Sequence, residues 1–355
     1  MKVINAAMLG LVLGWTTVAA GAAFQDPLAV PSAPSALASR SLLQGVTRAG
    51  LRLVAVGQRG HIVYSTDGGA SWKQASVPVS SDLTAVFFVN DEKGWAVGHD
   101  GVILHTEDGG LNWSLQLDGR SANERLVGHM QERAKAQPQS AELQRLLEDA
   151  KRNKEQGADK PFLDVWFADA STGFVVGAYN LIFRTTDGGR NWEPWFAQTD
   201  NPKLLNLYAI APAGDDLYVV GESGLVLKLD AQAQRFRALP TPYNGSFFGA
   251  VGSRERIVAF GLRGNAFASE DGGKTWTRLD TGLPASIVAG TALPNGALLL
   301  ADVGGRIAVS DAAGREFRLV PLKPAMPLAG LASAGNGRLA VVGPRGVAVT
   351  ELPAR

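Results

Sequence analysis

The stretch Ser65-Thr66-Asp67-Gly68-Gly69-Ala70-Ser71-Trp72 decides how this chain of 355 residues is read, because it returns at 106–113, 185–192 and 269–276. Each copy has the form Ser/Thr-x-Asp-Gly-Gly-x-x-Trp, with acids at Asp67, Asp108, Asp187 and Asp271 and rings at Trp72, Trp113, Trp192 and Trp276. Adjacent glycines supply backbone angles that a side chain would forbid. The carboxylate accepts from the turn's own amides, and the indole lays a large apolar face over them. The pattern marks a tight turn between two strands, so these eight residues are expected to be structural.

Ahead of each turn runs an apolar stretch ending in Gly-x-x-Gly or a close relative. The leading positions are Gly57, Gly98, Gly177, Gly221, Gly261, Ala301 and Gly343, spaced 41, 79, 44, 40, 40 and 42 apart. A β-rich unit that recurs about every forty residues reads as one four-stranded blade, and seven units as an all-β, seven-bladed β-propeller. Three units lack the intact turn. Unit four keeps Asp230 without the glycine pair, unit six has Ala312 where the acid is expected, and unit seven stops short. Unit seven therefore supplies three strands. Asp26-Pro27-Leu28-Ala29-Val30-Pro31 is expected to add the fourth, beside 346–350, since an outermost strand tolerates proline.

The 79-residue spacing holds about forty residues too many, at 118–161, rich in Ala, Glu, Gln, Lys, Arg and Leu. Two helices are expected, at 122–136 and 140–156, broken at Gln137-Pro138. Leu143, Leu146 and Leu147 share one face of the second. That stripe packs against the propeller or against itself, or it docks a partner. In a propeller, the connection from an outer strand to the next inner strand lies on the face that carries the Gly-x-x-Gly turns. The candidate partner-binding set is therefore Arg59, Arg263, Arg345, His99 and Tyr179 from those turns, with the three leucines.

Residues 1–23 read as a signal peptide: Lys2, then an apolar stretch, then small residues at 20–23. Residues 24–355 are the expected mature propeller, periplasmic or secreted, and a chain without cysteine suits an oxidising compartment. No later run reaches the length of a membrane span, so no direct membrane insertion is expected. A net charge of +1 gives no reason for a nucleic-acid partner. His61, His99, His105 and His129 lack the spacing of metal ligands, and nothing suggests a cofactor.

The turn motif resembles the Asp-box, or BNR, repeat of β-propellers. That class includes sialidases, so glycoside hydrolysis is the alternative activity, requiring an arginine triad, a Tyr–Glu pair and an Asp acid/base. The sialidase motif Phe/Tyr-Arg-Ile-Pro is absent, and no catalytic residue is assigned. The whole unit Leu83-Thr84-Ala85-Val86-Phe87-Phe88, Gly94-Trp95-Ala96-Val97-Gly98 and 101–113 resembles the repeat of the photosystem II assembly and stability factor family of chloroplasts and cyanobacteria. The resemblance covers about residues 40–352. It implies a non-enzymatic scaffold that holds partner proteins during assembly at a membrane, and the helical insertion, which departs from the plant-type pattern, suggests a bacterial relative with a protein client at the cell envelope.

Overall fold

A computed structural model describes residues 25–253, 256–322 and 325–352. Seven antiparallel sheets follow one another at 43–74, 83–117, 162–194, 207–239, 247–278, 287–320 and 330–351, each ordered along the chain from innermost to outermost strand. Each innermost strand packs against the next, and the strand Leu43–Ala49 of blade one meets Gly330–Gly335 of blade seven, closing the ring. The signal-peptide reading of 1–23 lies outside the described residues.

The second strand of each blade is buried along nearly its whole length on both faces, as in Trp95-Ala96-Val97 and Val258-Ala259-Phe260. Such a strand cannot complete a core within its own sheet. The apolar clusters accordingly lie between blades: Val54, Val56 and Ile62 with Phe88, Ala96 and Leu104, then Trp95 and Ile103 with Phe162, Phe167 and Phe183. Trp95 stacks on Phe167 across that second interface, with ring centroids 3.4 Å apart and planes 9° apart.

The leading glycine of each Gly-x-x-Gly turn has extended backbone, with φ of −175° at Gly57 and −176° at Gly98, so space and not conformation demands it. A Cβ at Gly57, Gly98, Gly177, Gly221, Gly261 or Gly343 would lie 2.1–2.2 Å from a carbonyl oxygen entering the inner strand. The register corrects one expected position: Ile287 pairs with Asp302 as Leu43 pairs with Gly57, so blade six has Asp302 there and not Ala301. The carboxylate of Asp302 turns back to accept from Arg306 N at 2.9 Å. Across blade six the spacing becomes 41 and 41.

Each Asp box closes the turn between third and outer strands. Ser71 N and Oγ donate to Asp67 at 2.9 and 2.6 Å, and Gly69 N donates to Ser65 Oγ at 2.8 Å. The same bonds recur around Asp108, Asp187 and Asp271. Asp311, one place before Ala312, performs this task in blade six by accepting from Arg315 N and Glu316 N. Asp230 caps the blade-four turn through Gln232 N and Ala233 N. Four of these turns are also held by the preceding blade. Arg52 donates to Asp108 O and Gly109 O, Gln116 to Gly188 O, Arg256 to Ala313 O, and Arg338 to Gly68 O across the closure.

The expected closing strand does not form. Blade seven has three strands, and Asp26-Pro27-Leu28-Ala29 makes a turn in which Ala29 N donates to Asp26 O and Leu28 N to Asp26 Oδ1. Asp followed by Pro favours such a turn over an extended strand. The segment instead follows the rim of blade one, with Ser32 N donating to Val77 O, Ser35 N to Gln74 Oε1 and Ser80 N to Pro27 O. Its end nearest blade one substitutes for a connection between blades. Ser39 O sits against Gly346 as Val79 O sits against Gly60 and Leu283 O against Gly264.

The insertion folds as two helices, α1 (Gly119–Ala136) and α2 (Ala141–Gln156), broken at the expected place. Asp118 and Ser140 cap them by accepting from Ser121 N and Leu143 N.

Replacing Gly98 by alanine sets a Cβ 2.1 Å from Asp82 O, and should cost about 1–3 kcal/mol of stability as overpacking, read by denaturant unfolding. The hydroxyl and then the amide of Ser71 hold the Asp67 carboxyl well below the usual range, and those of Thr275 do so for Asp271. A depressed folded pKa contributes stability above the unfolded value of about 4 and loses it as pH falls. Asp271→Ala should lower Tm at neutral pH, with the gap from the parent protein narrowing below pH 4. Partner capture by the folded fraction should persist.

Candidate functional site

The middle residue of five Gly-x-x-Gly turns is left-handed: Arg59, Asp100, Tyr179, Ser223 and Arg263, with φ of 53–57°. A side chain in that conformation is tolerated only where the surroundings hold the turn. The next inner strand and its approach supply the hold. Arg59 N donates to Asp82 Oδ1 at 2.7 Å, Tyr179 N to Asn206 Oδ1 at 2.7 Å, and Arg263 N to Ser286 Oγ at 3.2 Å. Arg59, His99, Tyr179 and Arg263 consequently project from fixed backbone into solvent, and Tyr179 is 65 % exposed.

Arg345 is also exposed, but in a two-residue hairpin between Gly343 and Gly346, so its turn differs from those of Arg59 and Arg263. The three arginines share one end of the ring on blades one, five and seven. Blades seven and one adjoin through the closure.

The helical hairpin rises beside the same turns. Gly101 packs against Gly119, where a Cβ would lie 2.6 Å from Cα, and Asp26 of the rim segment pairs with Arg120 in the first turn of α1. The hairpin then lies along blade three: Arg125 Nη1 donates to Trp192 O, and His129 meets Phe196 edge to face. Leu143 and Leu147, 6 % and 8 % exposed, close against Leu126, Met130 and Ala134 of α1, and Leu146 packs at their margin with Phe196. Most of the leucine stripe is thus the hairpin's own seam, and the surface left outward is polar.

Asn180 explains the hold on blade three. It occupies the second glycine position of the turn, with φ 62°, a conformation Asn tolerates. Its amide donates to Phe196 O and Thr199 Oγ1 and accepts from Asn201 Nδ2. These bonds tie the connection to blade four onto the turn, beside a cavity of about 60 Å³ bounded by Leu126, Leu146, Tyr179 and Phe196, and a cleft of about 490 Å³ bounded by Arg133, Arg145 and Asp200. Lys160, whose ammonium lies 5.9 Å from the Tyr179 ring centroid, was not singled out from the sequence, and Asn180, expected from its turn position to be exposed, is buried. The break in the Gly-x-x-Gly pattern at Asn180 was the available signal.

The hydrolytic alternative meets one relevant pair: Tyr208 OH lies 3.4 Å from Glu222 Oε1. Burial raises the phenol's pKa, the opposite of what a nucleophilic phenolate needs. His61 is bound to Ser41 Oγ and His105 lies against Trp95, so both serve packing. Among the described residues no helix is long and apolar enough to cross a membrane.

The comparisons agree with this architecture. A solved YCF48 bound to a D1 peptide superposes with a TM-score of 0.64 at 14 % identity, covering 89 % of this chain and 95 % of that one. YCF48 from Cyanidioschyzon merolae gives 0.64 at 17 %, covering 90 % and 98 %. The photosystem II assembly lipoprotein Ycf48 of Synechococcus sp. (strain CC9902) is 28 % identical over 118 residues, 32 % of this chain, and the match spans 35 % of that relative's length. The family model described as photosynthesis system II assembly factor YCF48 matches residues 52–145 and 144–242, more than half of the chain. With its seven blades, four Asp boxes and that match, the chain belongs to the YCF48 family of photosystem II assembly factor propellers.

Proposed function

We propose that this chain is a non-enzymatic, exported scaffold that holds another protein during assembly of a membrane or envelope complex. Residues 1–23 act as the export signal, leaving a propeller without cysteine in the periplasm or outside the cell. The partner docks on the end of the ring that carries the Gly-x-x-Gly turns. One observation carries the reading: the hairpin and the exposed Arg59, Tyr179 and Arg263 stand together on that end, on turns locked by the next blade. Rigid turns lower the ordering cost of binding, and exposed elements on a rigid frame are where binding concentrates. The relative named an assembly lipoprotein and the solved relative that holds a D1 peptide support a polypeptide client.

The test is an affinity pull-down from the native envelope with three proteins, after circular dichroism establishes folding. Replacing residues 120–158 by a short Gly-Ser linker uncovers Phe196, and should leave a folded ring that has lost most of its client. Changing Arg59, Arg263 and Arg345 to glutamate leaves the core untouched and should weaken capture about tenfold, with the greater loss at low salt where exposed charges are least screened. Full capture by both variants overturns the reading.

A further inference from the structure

Among the described residues, blade seven is the blade whose outer edge carries no fourth strand. In the other six blades a fourth strand pairs with the third, and in blades two, four and six it sets an apolar residue against that strand's start: Leu117 opposite Ile103, Leu239 opposite Val226, Val320 opposite Ile307. In blade seven the third strand, Gly346–Glu351, is bonded to Arg338–Gly343 on one side and, among the described residues, to no strand on the other. Val342 O accepts from Ala329 N, so Val342 faces away from its partner Val347. By the alternation of an antiparallel pair, the N–H and C=O groups of Val347, Val349 and Glu351 point outward. The side chains of Val347 and Val349 are half-buried against blade one, so the strand is rigid and its edge is presented in register.

We infer that this edge accepts an extended segment of a partner polypeptide as the fourth strand of blade seven. The described rim segment meets the strand at its Gly346 end, where Ser39 O and Arg40 Cα close on the glycine and Ala38 shares a cluster with Val347. That end is basic: Arg40 and Arg345 are exposed there, and among the described residues neither pairs with a carboxylate. A strand running antiparallel to Gly346–Glu351 arrives at Arg40 and Arg345 with its C-terminal end. The segment that fits alternates apolar and polar residues and ends in acidic residues or a free carboxylate, with main-chain bonds giving affinity and the arginines setting direction. This deepens the scaffold reading, on which it rests, by naming a second contact and the chemistry of what it holds.

The probe is a labelled synthetic hexapeptide of alternating valine and threonine ending in two aspartates, titrated into the mature protein by fluorescence anisotropy. It should bind, and slow amide exchange at Val347, Val349 and Glu351 about tenfold or more. Val349→Pro removes an outward N–H without touching the blade's own ladder, and should abolish both effects. Glu351→Pro does the same at an exposed position, should the first variant misfold. Arg40→Glu should weaken binding, as should a probe ending in two lysines. Absence of binding, unchanged binding to both proline variants, or equal binding of the lysine-ended probe overturns the inference. So does a dimer of the parent protein that Val349→Pro dissolves, since a second copy would then occupy the edge. The proline variants retain the hairpin and the three arginines, so normal client capture by them, with no probe binding by the parent, would refute the edge site and leave the scaffold reading standing.

Discussion

The constraint on which everything else depends is that no blade can bury its own faces. The second strands are apolar on both sides, and their cores are completed by the neighbouring sheets, so the ring must close for any blade to be stable. Closure sets the distances. It forces glycine where the second strand passes the carbonyl that leads into the inner strand, and it lets four of the blades clamp the outer turn of the next, through Arg52, Gln116, Arg256 and Arg338. The Asp-box turns lie on the end of the ring opposite the Gly-x-x-Gly turns.

Closure at blade seven is made with less material than elsewhere. Ser39 takes the place of a connection between blades, Ala38 enters the cluster of Leu43, Val63 and Val342, and Arg338 reaches across to Gly68. Among the described residues, these contacts leave the outward backbone groups of Val347, Val349 and Glu351 without a neighbouring strand. An unpaired edge is a hazard in a soluble protein unless something covers or uses it.

Much of the fold was legible because it repeats. The Ser/Thr-x-Asp-Gly-Gly-x-x-Trp turns and the forty-residue period specify blades directly, and the helix formers of 118–161 specify the hairpin to within three residues. What repetition does not constrain was read less well. Asp302 broke the glycine pattern and shifted the unit-six alignment by one, since a space requirement is invisible where the side chain folds back onto its own turn. The Pro-rich start could be an edge strand or a series of turns by composition, and the Asx turn at Asp26 decided between them. For the candidate site, exposure of Arg59, Tyr179 and Arg263 followed from their turn position, while the burial of Leu143 and Leu147 depended on how the second helix pairs with Leu126, Met130 and Ala134 of the first.

The most direct measurement is amide hydrogen exchange on the mature protein, alone and with the client recovered from its native envelope. The account predicts slowed exchange in α1, α2 and the Gly-x-x-Gly turns around Arg59, Tyr179 and Arg263, with the Asp-box turns unchanged. Protection confined to the Asp-box turns, or none on the hairpin and its neighbouring turns, would contradict it.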